Sequence, residues 1–131
     1  MQTLKLTTHQ TCELIEITDL VRETVSRSAV REGQVLVYTP HTTAAITINE
    51  NADPDVISDL LAGLDRIAPL QNNYRHREGN SAAHIKSSLL GASESVIVSG
   101  GKLQLGTWQG LFFCEFDGPR SRKLYVQVLG A

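Results

Sequence analysis

The sequence predicts an α+β domain with largely antiparallel sheets, carrying two main helices and one short one. Three observations point to it. Apolar alternation of period two marks a series of short strand-like runs, two segments switch to clear helical spacing, and the last third of the chain is strands alone, so helices and strands do not alternate strictly. At 131 residues the chain fits a single domain, residues 1–131, able to bury a core without disulfide staples.

Taken in order, Thr3 to Thr8 alternates Leu4 and Leu6 with polar residues, and Cys12 to Ile17 alternates again. His9-Gln10-Thr11 reads as the turn between these two strands. Thr18-Asp19 supplies oxygens that can cap a helix in which Leu20, Val21, Val25 and Ala29 recur at helical spacing, and Gly33 reads as its end. Gln34 to Thr39 is a third strand, closed by Pro40, which offers no amide to a ladder. From Thr43 the run through Ile48 is again extended, and it either pairs with the strand before it or continues it around a bend.

Asp53-Pro54 opens the clearest helix: an aspartate at the cap, a proline at the first position and Asp55 in the first turn. Val56, Ile57, Leu60, Leu61, Leu64 and Ile67 form its apolar stripe, which stops before Pro69. The segment from Leu70 to Asn80 is polar and irregular, and Ser81 to Leu90 reads as the short helix, ended by Gly91. Strands follow at Ser95 to Val98, Lys102 to Leu105, Leu111 to Phe116 and Lys123 to Leu129, with Gly100-Gly101 and Asp117-Gly118 as turns. Between the second and third of these, Gly106 and Gly110 bracket Trp108, a pattern that suits close approach of another backbone or a ligand.

Composition excludes several function classes. Twelve basic residues against fourteen acidic ones leave a net charge of -2, and the few aromatics do not interleave with basic residues, so no nucleic-acid partner is expected. No run approaches the length of a membrane span and the start lacks a secretory leader pattern, so no membrane partner is expected and a cytoplasmic location is. Cys12 and Cys114 stand far apart in apolar runs and read as buried free thiols.

Chemistry-bearing residues gather from His41 to Asp55 and from His76 to His84. His41, His76 and His84 fall near element breaks. No local spacing makes a zinc signature, so a metal site has to be assembled in space from imidazoles and carboxylates such as Glu50, Asp53 or Glu78. An extended run from Thr43 to Asn49 puts His41 and Glu50 on the order of 25 Å apart. Either they serve different places, or an oligomer brings one subunit's His41 near another's Glu50. For anions the candidates are Lys86, Ser87 and Ser88 in the short helix and Arg120, Arg122 and Lys123 after the Asp117-Gly118 turn. A solvated basic edge is the alternative for the last three.

The blocks His41-Thr42-Thr43, Asn49-Glu50-Asn51-Ala52-Asp53-Pro54, His76 through Glu78-Gly79-Asn80 to His84-Ile85-Lys86, and Gly106-Thr107-Trp108-Gln109 together resemble the YjbQ family of small bacterial and archaeal proteins. The match follows the same order over essentially the whole chain. The resemblance implies a homotrimer of β-sandwich subunits flanked by helices, with sheets packed about the threefold axis and sites near subunit interfaces. It also implies a secondary thiamine-phosphate synthase activity, joining an aminopyrimidine methyl diphosphate to a thiazole ethyl phosphate with release of pyrophosphate.

Carried onto this sequence, the resemblance assigns His41, Glu50, Asp53 and His84 to catalysis. A divalent metal, Mg²⁺ or Zn²⁺, would draw on His41, His76, His84, Glu50 and Asp53. Lys86, Trp108 and Gln109, with Arg120, would face the small phosphorylated metabolite. The competing readings are a metal- or phosphometabolite-binding trimer without turnover, and a Zn²⁺ enzyme of another substrate.

Overall fold

The computed structural model describes residues 1–131. In chain order the elements are β1 (Gln2–Thr7), β2 (Glu13–Glu16), α1 (Thr18–Ser28), β3 (Glu32–Tyr38), β4 (Ala44–Glu50), α2 (Pro54–Ile67), α3 (Ser81–Leu90), β5 (Ser93–Ser99), β6 (Lys102–Leu103), β7 (Gln109–Glu115) and β8 (Ser121–Gly130). Five strands form one sheet in the order β1-β8-β3-β5-β6, and three form a second, β2-β7-β4. All pairings are antiparallel. No helix is long and apolar enough to cross a membrane.

The two sheets face each other across one core. Val35, Val37, Val96, Val98, Leu124 and Val126 come from the large sheet, Ala44, Ile46, Leu111 and Phe113 from the small one, and Val21 and Val25 from α1. Phe113 has no exposed surface, and truncating such a ring costs about 3–5 kcal/mol. The small sheet is covered on its other face too, where Ala45, Phe112 and Cys114 meet Leu64 of α2 and Ala83 of α3. This explains why β7 reads as an unbroken apolar run rather than an alternation: both of its faces are dry. Cys114 is a free thiol pushed up to about 12 by burial, and Cys12 is raised by the same cause, so neither is poised as a thiolate.

Several local expectations need correction. β1 and β2 do not form a hairpin, since β1 pairs with β8 and β2 with β7, in different sheets. Helix α1 ends at Ala29, which takes the left-handed conformation with φ 58°, and not at Gly33. Gly33 lies inside β3, where a Cβ would stand 2.0 Å from the Leu129 carbonyl oxygen; the missing side chain serves strand packing. The cap of α1 is also not a side chain. Thr18 Oγ1 donates instead to Glu16 and accepts from the Leu111 amide, tying α1 to the small sheet.

Helix α2 follows the reading closely, with Asp53 accepting from the Asp55 amide at 2.9 Å and Pro54 opening the helix. Its stripe is nonetheless thinly covered, and only Leu64 is buried.

A cleft where three strands change sheet

Six connections carry the chain from one sheet to the other, and three of them frame the candidate site: β1 to β2, β3 to β4 and β7 to β8. All three lie at the same end of the sandwich, as the registers Thr7↔Ser121, Glu13↔Glu115 and Ala44↔Glu115 require. The candidate site is built there. Strands that leave their ladders free backbone groups, and these are satisfied across the connections: Thr8 N–H donates to Arg120 O, Gly118 N–H to Thr11 O and Phe116 N–H to Thr43 O.

A buried ion pair locks the three connections together. Glu115, at the end of β7, has no exposed surface and is bonded by Arg122 of β8, by Thr8 Oγ1 at 2.8 Å and by the Asp117 amide at 3.0 Å. Arg122 also reaches Thr43 Oγ1 at 2.8 Å. Burial opposes the charge on Glu115, but the hydrogen bonds from Arg122, the Asp117 amide and Thr8 outweigh it and hold the carboxyl below its ordinary range. Arg122 is therefore no solvated basic edge. The signal for this pair was a carboxylate set among Leu111, Phe112, Phe113, Cys114 and Phe116, a charge that a buried strand tolerates only when paired.

Above this pair opens a cleft of about 420 Å³ whose lining includes His41, His76, Asn80, His84, Asp117 and Arg120, and no large apolar side chain. Ser87 Oγ donates to Thr42 O at 2.6 Å, fixing α3, and with it His84, against the loop that carries His41. His76 and His84 meet edge to face with ring centres 5.4 Å apart. Asn80 Nδ2 donates to Asp117 Oδ2 at 2.8 Å, and Arg120 donates to the same oxygen at 3.1 Å and to the Asp117 carbonyl at 2.8 Å. Nothing local in the sequence marks Asn80, Asp117 and Thr43 as site residues, because their types are equally at home in turns and caps.

His41 is oriented by the backbone. Its Nε2 accepts from the Lys123 amide at 3.0 Å, so a neutral ring carries its proton on Nδ1, which has no partner in the chain. Burial, and then the nearby Arg122 guanidinium, hold its pKa below the usual histidine value. His41 thus presents a donor, and its Nε2 lone pair is already engaged.

The chain does not bring all the expected residues together. His41, His76, His84 and Arg120 share the cleft. Glu50 and Asp53 do not: Glu50 stands opposite Gln109 at the far end of β4, beside Trp108, whose carbonyl accepts from the Asn51 amide, and Asp53 caps α2. The length of β4 separates the two groups by about 20 Å. Gly110 is required at that far end because a Cβ there would fall 2.8 Å from the Asn51 side chain. Lys86, expected to face phosphate, is turned the other way. It is 3% exposed, and its Nζ donates to Asp65 of α2 at 2.6 Å and lies over the Phe116 ring.

The donors of one chain do not fit a resident metal, since no three of His, Cys, Asp and Glu side chains converge and His41 Nε2 is taken. What the cleft offers is hydrogen-bond donors and imidazoles on a rigid floor.

The chain matches a known family over nearly its full length. The family model for the UPF0047 protein YjbQ-like group matches residues 2–131. The UPF0047 protein YugU of Bacillus subtilis is 51% identical over 131 residues, 99% of each chain, and a UPF0047 protein of Methanocaldococcus jannaschii is 51% identical over 96% of this chain and 91% of its own. Among solved structures, an uncharacterised conserved YjbQ/UPF0047 protein from Clostridium acetobutylicum superposes with a TM-score of 0.97 at 52% identity, over 98% of this chain and 100% of that one. A YbjQ-like protein of unknown function from Sulfolobus solfataricus superposes at 0.96 and 34% identity, over 99% and 96%.

Proposed function

The chain belongs to the YjbQ-like UPF0047 family, and from that premise we propose that it is a transferase of the thiamine-phosphate synthase type, working on two small phosphorylated metabolites. The observation that carries the reading is the cleft at the strand crossings. Its lining has no large apolar side chain, and it brings Arg120, the Nδ1–H donor of His41 and the imidazoles of His76 and His84 to one place. Such a surface suits a compact, highly charged ligand better than an apolar one.

In the reaction proposed, the thiazole nitrogen attacks the pyrimidine methylene and pyrophosphate leaves. Negative charge grows on the departing oxygen, and fixed donors facing it lower the barrier. Arg120 and His41 are the donors assigned to this. Mg²⁺ is proposed to arrive already bound to the diphosphate, in keeping with the absence of a converging donor set in one chain. A cytoplasmic setting goes with the reading, because both reactants are charged and do not cross a membrane unaided.

A homotrimer is part of the proposal. The outer face of the large sheet carries Tyr38, Ile97 and Leu129, exposed by 41%, 66% and 45%, with Tyr125 stacked on Tyr38. The thinly covered stripe of α2 adds a second unpartnered apolar surface. In a closed assembly one subunit's Glu50, Asp53, Trp108 and Gln109 end can meet the His41 end of another, which makes Glu50 and Asp53 candidates for a shared site.

A second reading, a phosphometabolite-binding trimer without turnover, is favoured by the distance of those carboxylates from the cleft within one chain. The deciding experiment incubates the protein with the aminopyrimidine diphosphate, the thiazole phosphate and Mg²⁺, and follows thiamine phosphate by fluorescence after oxidation. Product is expected from the wild type and not from His84→Ala or Glu50→Ala of unchanged oligomeric size. Absence of product from the wild type, with Zn²⁺ and Mn²⁺ also tried, overturns the synthase reading in favour of binding alone.

A further inference from the structure

Arg122 has five N–H donors, and the chain uses three of them. Nε–H goes to Glu115 Oε1 at 2.8 Å, one Nη2–H to Glu115 Oε2, and the other to Thr43 Oγ1 at 2.8 Å with Thr43 O behind it at 3.3 Å. Nη1 makes no hydrogen bond inside the chain, although the side chain is only 2% exposed. It is nonetheless not sealed from solvent. Asn80 Oδ1 is the one fully buried side-chain oxygen or nitrogen without a partner, so Nη1 keeps an opening, and the opening Arg122 borders is the cleft.

We propose that the Nη1 edge of Arg122, together with the free Nδ1–H of His41, forms a phosphoryl-binding subsite on the floor of the cleft, with Glu115 as the positioning residue that holds the guanidinium. The inference rests on the reading of the cleft as a phosphate-ester site and names the group that anchors the phosphate. The chemistry recognised is a terminal phosphoryl group, whose oxygens take the charge-assisted Nη1–H donors of Arg122 and the Nδ1–H of His41.

Three features support this beyond the free donors. The guanidinium is already fixed by three bonds to Glu115 and Thr43, so no side-chain freedom is lost when an anion arrives. Glu115 compensates the charge of Arg122, which lets the group stay buried and leaves its two Nη1–H donors unused inside the chain. Two carboxylates line the cleft and each has a partner: Asp117 Oδ2 is taken by Asn80 and Arg120, and Glu78 stands 3.9 Å from His76 Nε2. His41 and Arg122 line the same cleft.

The test titrates inorganic phosphate into the full-length protein and reads it by arginine side-chain ¹⁵N and histidine imidazole NMR, with Arg122→Lys and His41→Ala beside the wild type. Lysine keeps a cation for Glu115 but has no second donor edge. Phosphate is expected to shift Arg122 Nη1 and His41 Nδ1 in the wild type, to leave Arg27 on α1 in place, and to bind each variant about tenfold or more weakly, the loss of one charge-assisted contact. A phosphate monoester should displace inorganic phosphate from the same resonances. Phosphate that binds Arg122→Lys as tightly as the wild type, or a titration that leaves Arg122 and His41 unmoved, overturns the subsite, and a monoester that fails to displace phosphate overturns its assignment to esters. If Arg122→Lys does not fold, the wild-type shifts and His41→Ala decide. No turnover enters the titration, so phosphate binding here without thiamine-phosphate formation would sink the synthase reading and leave the subsite standing.

Discussion

A carboxylate with no exposed surface must be compensated by its neighbours, and Glu115 is compensated by Arg122, Thr8 and the Asp117 amide together. Removing one partner leaves the other charge stranded, which is the expensive way to break a buried pair. Glu115→Ala is expected to lower the unfolding free energy by about 3–5 kcal/mol, whereas Glu23→Ala, which opens the exposed Arg27–Glu23 pair on α1, is expected to cost about 0–1 kcal/mol. Urea unfolding of the two variants makes the comparison, and equal losses would mean that the pair is not the lock described. His41 gives a second prediction at this scale. Its folded-state pKa lies below the ordinary histidine value, so between the two values the unfolded chain takes up a proton that the folded chain does not. Its contribution to stability is therefore complete above the unfolded value and is lost as pH falls through that value toward the folded one. An imidazole titration should place the His41 midpoint below that of a histidine peptide, and His41→Asn should remove this share of the acid-side loss. A midpoint at or above the peptide value would contradict both the burial and the nearness of the Arg122 charge.

Among the elements, periodicity was most informative where one face is buried and the other wet. β3, β5 and β8 alternate and read correctly as strands, and α2 declared itself through Asp53, Pro54 and its apolar stripe. What periodicity does not encode is the partner of a strand. His9-Gln10-Thr11 and Asp117-Gly118 have the composition of hairpin turns, yet both carry the chain between sheets, and nothing local distinguishes the two uses. Gly33 shows the same limit. A glycine four residues beyond a helical run suits a helix end, and only the pairing of β3 with β8 reveals that it admits the Leu129 carbonyl. That pairing yields a prediction with its own control. Gly33→Ala drives a Cβ into a backbone oxygen and should destabilise by about 1–3 kcal/mol or more. Gly63, in α2, has nothing within 4 Å of a would-be Cβ, so Gly63→Ala should stabilise by about 0.5–1 kcal/mol. Thermal melts that move in the same direction for both would show that one of the two environments is misjudged.

For the whole molecule, the candidate site was legible in part and for a physical reason. Histidines and arginines at element breaks are visible in a sequence, so His41, His76, His84 and Arg120 could be named, but their convergence depends on three strands changing sheet at one end, a property of topology. Glu50 and Asp53 sit at the other end of the same sheet, so a site that uses both ends cannot close within one chain. A trimer resolves this if the surfaces that form it are the ones a single chain leaves uncovered. Tyr38, Ile97 and Leu129 project from one face of the large sheet, as the registers Gln34↔Ile97, Gln34↔Leu129 and Tyr38↔Tyr125 require. Ile97 is the most exposed of the three at 66%, so a charge placed there cannot disturb the core but must be desolvated if the face is an interface. Ile97→Glu is therefore expected to fold with an unchanged circular dichroism spectrum and to sediment as a monomer at concentrations where the wild type sediments as a trimer. If Glu50 and Asp53 complete a neighbour's cleft, the same variant should lose product formation in step with its mass, although no residue of the cleft has changed. A wild type that sediments as a monomer, or an Ile97→Glu variant that keeps the wild-type mass, would remove the large-sheet face from the assembly and leave α2 as the surface to test.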